Sequence, residues 1–134
     1  MSGYAVAIRL KIPDNQAYTA LTALRRIGVP VERVERADIF LFDAESEDPA
    51  TRVMQNEALF NPNKHALHRL DDDTPRAGEV WIEEMGALDA PREFRRYVGW
   101  RLFGADGAPA AAEVVRSAAE CLLCNPAIER AIVR

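Results

Sequence analysis

Tyr4, Val6, Ile8, Leu10 and Ile12 fall on one side of an alternating run, and Ala5, Ala7, Arg9 and Lys11 on the other. A period of two over this length predicts a half-buried strand. Pro13-Asp14-Asn15 stops it, and Asp14 or Asn15 can cap a helix by accepting a backbone N–H. Ala17, Leu21, Leu24 and Ile27 then recur at helical spacing, with Arg25-Arg26 in the last turn and Gly28 as the C′ residue. The next segment, 31–43, contains Ile39-Phe40-Leu41-Phe42, which is apolar on both faces. Such a strand is covered on both sides or sits centrally in its sheet.

The acidic loop 44–49 leads to a second predicted helix, capped by Ser46 or Asp48, with Pro49 at its first position. Val53, Met54, Ala58 and Leu59 form its apolar stripe, and Asn61-Pro62-Asn63 ends it, because proline disfavours helical geometry in the residue before it. Ala66–Leu70 reads as a short third strand, and the polar run 71–76 as a turn between halves. Glu79–Met85 is a fourth strand. Gly86–Glu93 is too short and too broken by Pro91 for a packed helix. Arg95–Phe103, rich in aromatic and β-branched residues, reads as a strand. Gly104–Gly107 is a turn, and a helix from Pro109 to about Cys124 buries Val114, Val115, Ala118, Leu122 and Leu123. Ile128–Val133 is the last strand.

The order strand, turn, helix, Asn-Pro, strand therefore occurs twice. Leu59-Phe60-Asn61-Pro62 returns as Leu123-Cys124-Asn125-Pro126, 64 residues later. The first helix has no counterpart in the second half. The expected fold is α+β: a ferredoxin-like β-α-β-α-β unit over 1–73, then a degenerate β-β-α-β copy over 74–134. The expectation is of antiparallel sheets packed as one pseudo-twofold unit.

Composition narrows the function classes. The 134 residues are 49% hydrophobic and 28% charged, an ordinary globular balance. The net charge of -4 leans against nucleic acid as a partner. No apolar run approaches the ~20 residues needed to span a bilayer, so no membrane partner is expected. The N-terminus has no basic region followed by a long apolar one, which makes the cytoplasm the expected compartment.

Candidate chemistry is sparse. Cys121-Leu122-Leu123-Cys124 has redox spacing, but it falls at a predicted helix C-terminus, where the dipole raises rather than lowers a thiol pKa. His65 and His68 with two cysteines supply a zinc ligand count, yet positions three apart on a strand point to opposite faces. Phe40 and Phe42 share a strand face, but Asp38 and Asp43 bracket them where an RNA-binding sheet needs basic flanks. Asp71-Asp72-Asp73 reads as a solvated turn rather than a cation site. Gly104-x-x-Gly107 is a turn signal rather than a phosphate cradle. No catalytic residue, cofactor site or metal site is expected. Trp81, Tyr97 and Trp100 are candidates for an interface or for the core of the second half.

Glu57-Ala58-Leu59-Phe60-Asn61-Pro62-Asn63 and Glu120–Glu129 resemble the helix end of the small PurS subunit of phosphoribosylformylglycinamidine synthase. That family closes its last helix with a leucine-rich stretch, then Asn-Pro or similar, then a short apolar strand. Val31–Leu41 resembles the family's middle strand, with Ala37-Asp38 in place of its Gly-Lys. Pro13-Asp14-Asn15 replaces the usual Asp-Pro-x-Gly entry to the first helix. The resemblance covers most of 4–70 and, less fully, 95–133. It implies a ferredoxin-like fold without chemistry of its own, in a subunit that dimerises to bridge a synthetase and a glutaminase. A tandem chain resembles that dimer made as one protein, and further homodimerisation stays open. The alternative is a stand-alone regulatory module that binds a small metabolite in the cleft between the halves.

Overall fold

Ten consecutive residue pairs, from Arg33↔Phe103 to Phe42↔Phe94, join the two longest strands, β2 (Arg33–Phe42) and β5 (Phe94–Phe103). They form the middle of a single six-stranded sheet in a computed structural model that describes residues 4–42, 60–70, 74–84, 94–125, 127 and 129–133. The other strands are β1 (Tyr4–Leu10), β3 (His65–Leu70), β4 (Glu79–Glu84) and β6 (Glu129–Val133), and the order across the sheet is β3-β1-β2-β5-β4-β6. All five neighbouring pairs are antiparallel. The chain is thus α+β, and its two halves join edge to edge rather than stacking face to face. The second helix expected around 49–59 lies outside the described residues, as do Gly86–Glu93 and the aspartates 71–73.

Each outer triplet has the same order in sequence. β1 is central, flanked by β2 and β3; β4 is central, flanked by β5 and β6. Because both flanking strands run against the central one, β2 and β3 are parallel to each other, and so are β5 and β6. The β1–β2 ladder ends at Ile8↔Asp38, and the β4–β5 ladder ends at Ile82↔Val98.

The first helix, α1 (Asn15–Arg26), begins where Asp14 accepts hydrogen bonds from Gln16 and Ala17 N–H at 2.9 and 3.2 Å. It ends at Gly28, whose φ of 92° gives the left-handed turn the sequence reserved for it. β1 stops at Leu10 rather than Ile12, which is 67% exposed, because the chain turns out of the sheet to start α1. The second helix, α2 (Ala112–Ala118), continues in a π-helical turn over Ala119–Leu123. It starts three residues later than Pro109 suggested. Pro109 instead bridges to Phe103, and Ala110 N–H is bonded to the Leu102 carbonyl at 2.9 Å, so this stretch continues the sheet before the helix begins.

Alternation divides the core between the two faces. On one face Leu24, Val29, Val31 and Val34 from the first half pack with Val80, Ile82, Leu102, Val115 and Ala118 from the second. α1 packs on β2 and against the π-helical turn 119–123, so one core draws side chains from both parts of the chain. Val6, Ile8, Phe40 and Phe60 form a second cluster beside it. The opposite face carries Ala5, Ala7, Ala37, Ile39, Trp81 and Tyr97. Phe40 and Ile39 are both buried, on opposite sides of β2, as expected of a central strand. The chain leaves β3 at the Ala5 end of the sheet and enters β4 at the Phe103 end, and Pro75 on the way is fully buried.

Candidate functional site

The seam between β2 and β5 carries a reciprocal pair of arginine–aromatic contacts. Arg36 and Trp100 are directly opposed across the two strands, and so are Arg96 and Phe40. Each guanidinium lies over its partner's ring at 5.8 Å, so the same contact occurs once in each direction. Asp38, opposite Val98, lies between them and faces Arg96 at 3.3 Å. Arg36 reaches toward the capping carboxylate of Asp14 at 4.0 Å. These groups lie on the helical face, between the two apolar clusters.

Of the three aromatics singled out above, the structure brings two together. Trp81 and Tyr97 pack with ring centroids 5.5 Å apart on the face away from the helices, and they are 1% and 3% exposed. Gly99 makes room for Ile39 and Trp81. A Cβ there would come within 2.9 Å of Ile39 and 3.4 Å of Trp81. Burial raises the Tyr97 phenol above its ordinary value, with the charge of Glu83 adding to the effect. Trp100 points to the other face, half-buried, and lines an open groove of about 400 Å³ with Asn15, Gln16, Thr19, Ala20, Leu122 and Leu123.

The face that carries Trp81 also holds a ring of arginines that sequence reading overlooked. Arg95 Nη2 donates to both Glu83 carboxylate oxygens, at 2.8 and 3.1 Å, and Arg130 donates to Glu83 as well. Glu35 lies between Arg9 at 3.5 Å and Arg33 at 3.8 Å. Glu79, buried, is gripped by Arg76 through Nε and Nη2. Arg33 and Arg101 stack on Phe103 at 4.1 and 5.2 Å, and Arg95 on Tyr97 at 5.7 Å. The signal was present as odd-numbered positions on β1, β2, β4 and β5, but it needed the registers to place them together.

The remaining candidates have structural partners. His65 Nδ1 accepts from Asn61 N–H at 2.9 Å, and His68 Nε2 meets Arg9 at 3.0 Å, so the two histidines serve different contacts. Cys121 is exposed in the π-helical turn and Cys124 follows its end; burial first, and Glu129 second, push the Cys124 thiol up. Among the described residues no group of three or more His, Cys, Asp or Glu side chains is placed to hold a metal ion. Also among them, no helix is long and apolar enough to cross a membrane. The two Asn-Pro turns share their bonding. Asn61 Oδ1 accepts from Asn63 N–H at 2.9 Å, and Asn125 Oδ1 from Ala127 N–H at 3.1 Å. Each asparagine carbonyl accepts from the N–H four residues on, that of His65 or of Glu129.

No model of a known protein family matches the chain, and no curated protein matches it in sequence.

Proposed function

We propose that this chain is a non-catalytic accessory subunit, built as two fused PurS-like units, that holds larger enzyme subunits together. The observation that carries the reading is the reciprocal pair Arg36–Trp100 and Arg96–Phe40, which exchanges β2 for β5 at one distance. A two-fold relation passing through Asp38↔Val98 accounts for it, for the common strand order and for the shared Asn-Pro bonding. In this reading each half is a ferredoxin-like unit with three of the usual four strands, and the other half's inner strand occupies the fourth place. The fused pair then takes the role of a symmetric dimer, with two equivalent outer edges, β3 and β6, for two partners.

The functional half of the proposal, a bridge between a purine-biosynthetic synthetase and its glutaminase, comes from the resemblance of residues 57–63 and 120–129 to that family. The test is capture on tagged chain with both purified subunits present. Retention of synthetase and glutaminase together supports the bridge. Elution of the chain alone at micromolar concentrations overturns it.

A further inference from the structure

Among the described residues, arginines outnumber carboxylates on the sheet face opposite α1 and α2. Arg9, Arg33, Arg95, Arg101 and Arg130 alternate into that face, and Arg76 joins them from the loop before β4. Among the described residues, Glu35, Glu79 and Glu83 are the facing acids. The chain as a whole has a net charge of -4, so this face runs against the balance of the molecule. Glu35 and Glu83 are each shared by two arginines. Arg33, Arg95 and Arg130 keep 60%, 62% and 53% of their side chains exposed. Arg33 and Arg95 are also stacked on aromatic rings, so their forks are oriented before any partner arrives.

We infer that this face is the docking surface for an acidic protein partner. The inference rests on the assembly role proposed above and adds which side of the subunit the partner meets. Charge complementarity selects the class: planar, pre-oriented guanidinium groups match carboxylates bidentately. A second copy of the same face is the poorer occupant, since it would bring a second excess of arginine rather than of carboxylate. A single-stranded nucleic acid needs exposed aromatic platforms, and Trp81 and Tyr97 on this face are buried. Interleaved Glu35 and Glu83 would also repel a continuous phosphate backbone, whereas a protein surface of mixed charge accommodates them.

The probe is fluorescent poly-L-glutamate, with oligo-dT of similar charge as comparator, measured by anisotropy on the full chain. Poly-L-glutamate is expected to bind at low salt and to weaken as salt rises. The triple change Arg33→Gln, Arg95→Gln, Arg130→Gln is expected to weaken it by about tenfold or more. Arg25→Gln with Arg116→Gln, away from this face, is expected to change it less than about twofold, with circular dichroism verifying that both variants fold. No binding at low salt, equal loss in both variants, or tighter binding of oligo-dT overturns the inference. If the bridging complex forms but ignores the triple variant, the docking face is wrong and the assembly role stands. If poly-L-glutamate binds as expected but no complex forms, the assembly role is wrong.

Discussion

The Arg36 guanidinium lies 5.8 Å from the centre of the Trp100 ring, directly across β2 and β5. The distance between Arg96 and Phe40 is the same in the opposite sense. The two contacts therefore should have similar energies. Double-mutant cycles in urea, with Arg→Met paired to aromatic→Leu, are expected to give couplings of about 0.5–1 kcal/mol for each. A coupling in one pair and none in the other would break the equivalence.

Aligned on the Asn-Pro turns, Arg9 in β1 corresponds to Glu83 in β4, and Glu35 in β2 to Arg95 in β5. Both couples are ion-paired, at 3.5 and 2.8 Å, with the charges exchanged. Sizes are exchanged as well: Ala37 and Ile39 stand where Tyr97 and Gly99 stand in the other half. Two identical chains cannot differ in this way, whereas the fused pair proposed above allows it. Reversing one couple alone, as Arg9→Glu, is expected to destabilise by up to about 1 kcal/mol, and Arg9→Glu with Glu35→Arg to restore most of it, read from chemical denaturation.

One apolar core draws Leu24 from the first half and Leu102 from the second, both fully buried. Leu24→Ala is expected to cost about 2–5 kcal/mol and to lower the whole transition, not part of it. Tryptophan fluorescence, which reports from the second half, and circular dichroism should give one coincident midpoint. Two separated midpoints would mean that the halves fold independently.

Gly78 and Gly28 both have positive φ, but their surroundings differ. A Cβ on Gly78 would meet the Leu102 carbonyl and Pro109 Cβ at 2.8 Å, whereas one on Gly28 meets nothing within 4 Å. Gly28→Ala is expected to cost about 1 kcal/mol from backbone strain alone. Gly78→Ala adds a clash with the main chain, and its loss in thermal denaturation should be at least about twice as large.

Burial first, then the charge of Glu83, raise the Tyr97 phenol pKa in the folded chain. The folded state thus holds a proton that the unfolded state releases at lower pH. The stabilisation is fully present below the ordinary phenol value near 10 and is lost as pH rises through the folded value. Ultraviolet titration should find Tyr97 ionising later in the native protein than in denaturant, and Tyr97→Phe should flatten the fall in stability above about pH 10.

Much of the fold was legible because it is local. A cap at Asp14 or Asn15, which the structure assigns to Asp14, Gly28 as a stop and the alternation of β1 each follow from a few neighbouring residues. The Asn61 and Asn125 turns were legible for the same reason, since their bonds close within four residues. What stayed hidden was pairing. Nothing in the spacing of Arg36 or Trp100 places them opposite each other, and β2–β5 pairing depends on contacts some sixty residues apart. Trp81, Tyr97 and Trp100 looked alike in sequence. Odd and even positions then sent the first two into the face opposite α1 and α2 and the third toward the groove. Pro109 carried a helix-start signal that a bridge to Phe103 overrode.

The proposed role is tested most directly by the mass of the assembled particle. Light scattering on a mixture of this chain with purified synthetase and glutaminase should find one complex containing all three, with a single copy of the 14.9 kDa chain in the place of a small-subunit dimer. Peaks at the masses of the separate components, at concentrations well above micromolar, would contradict it.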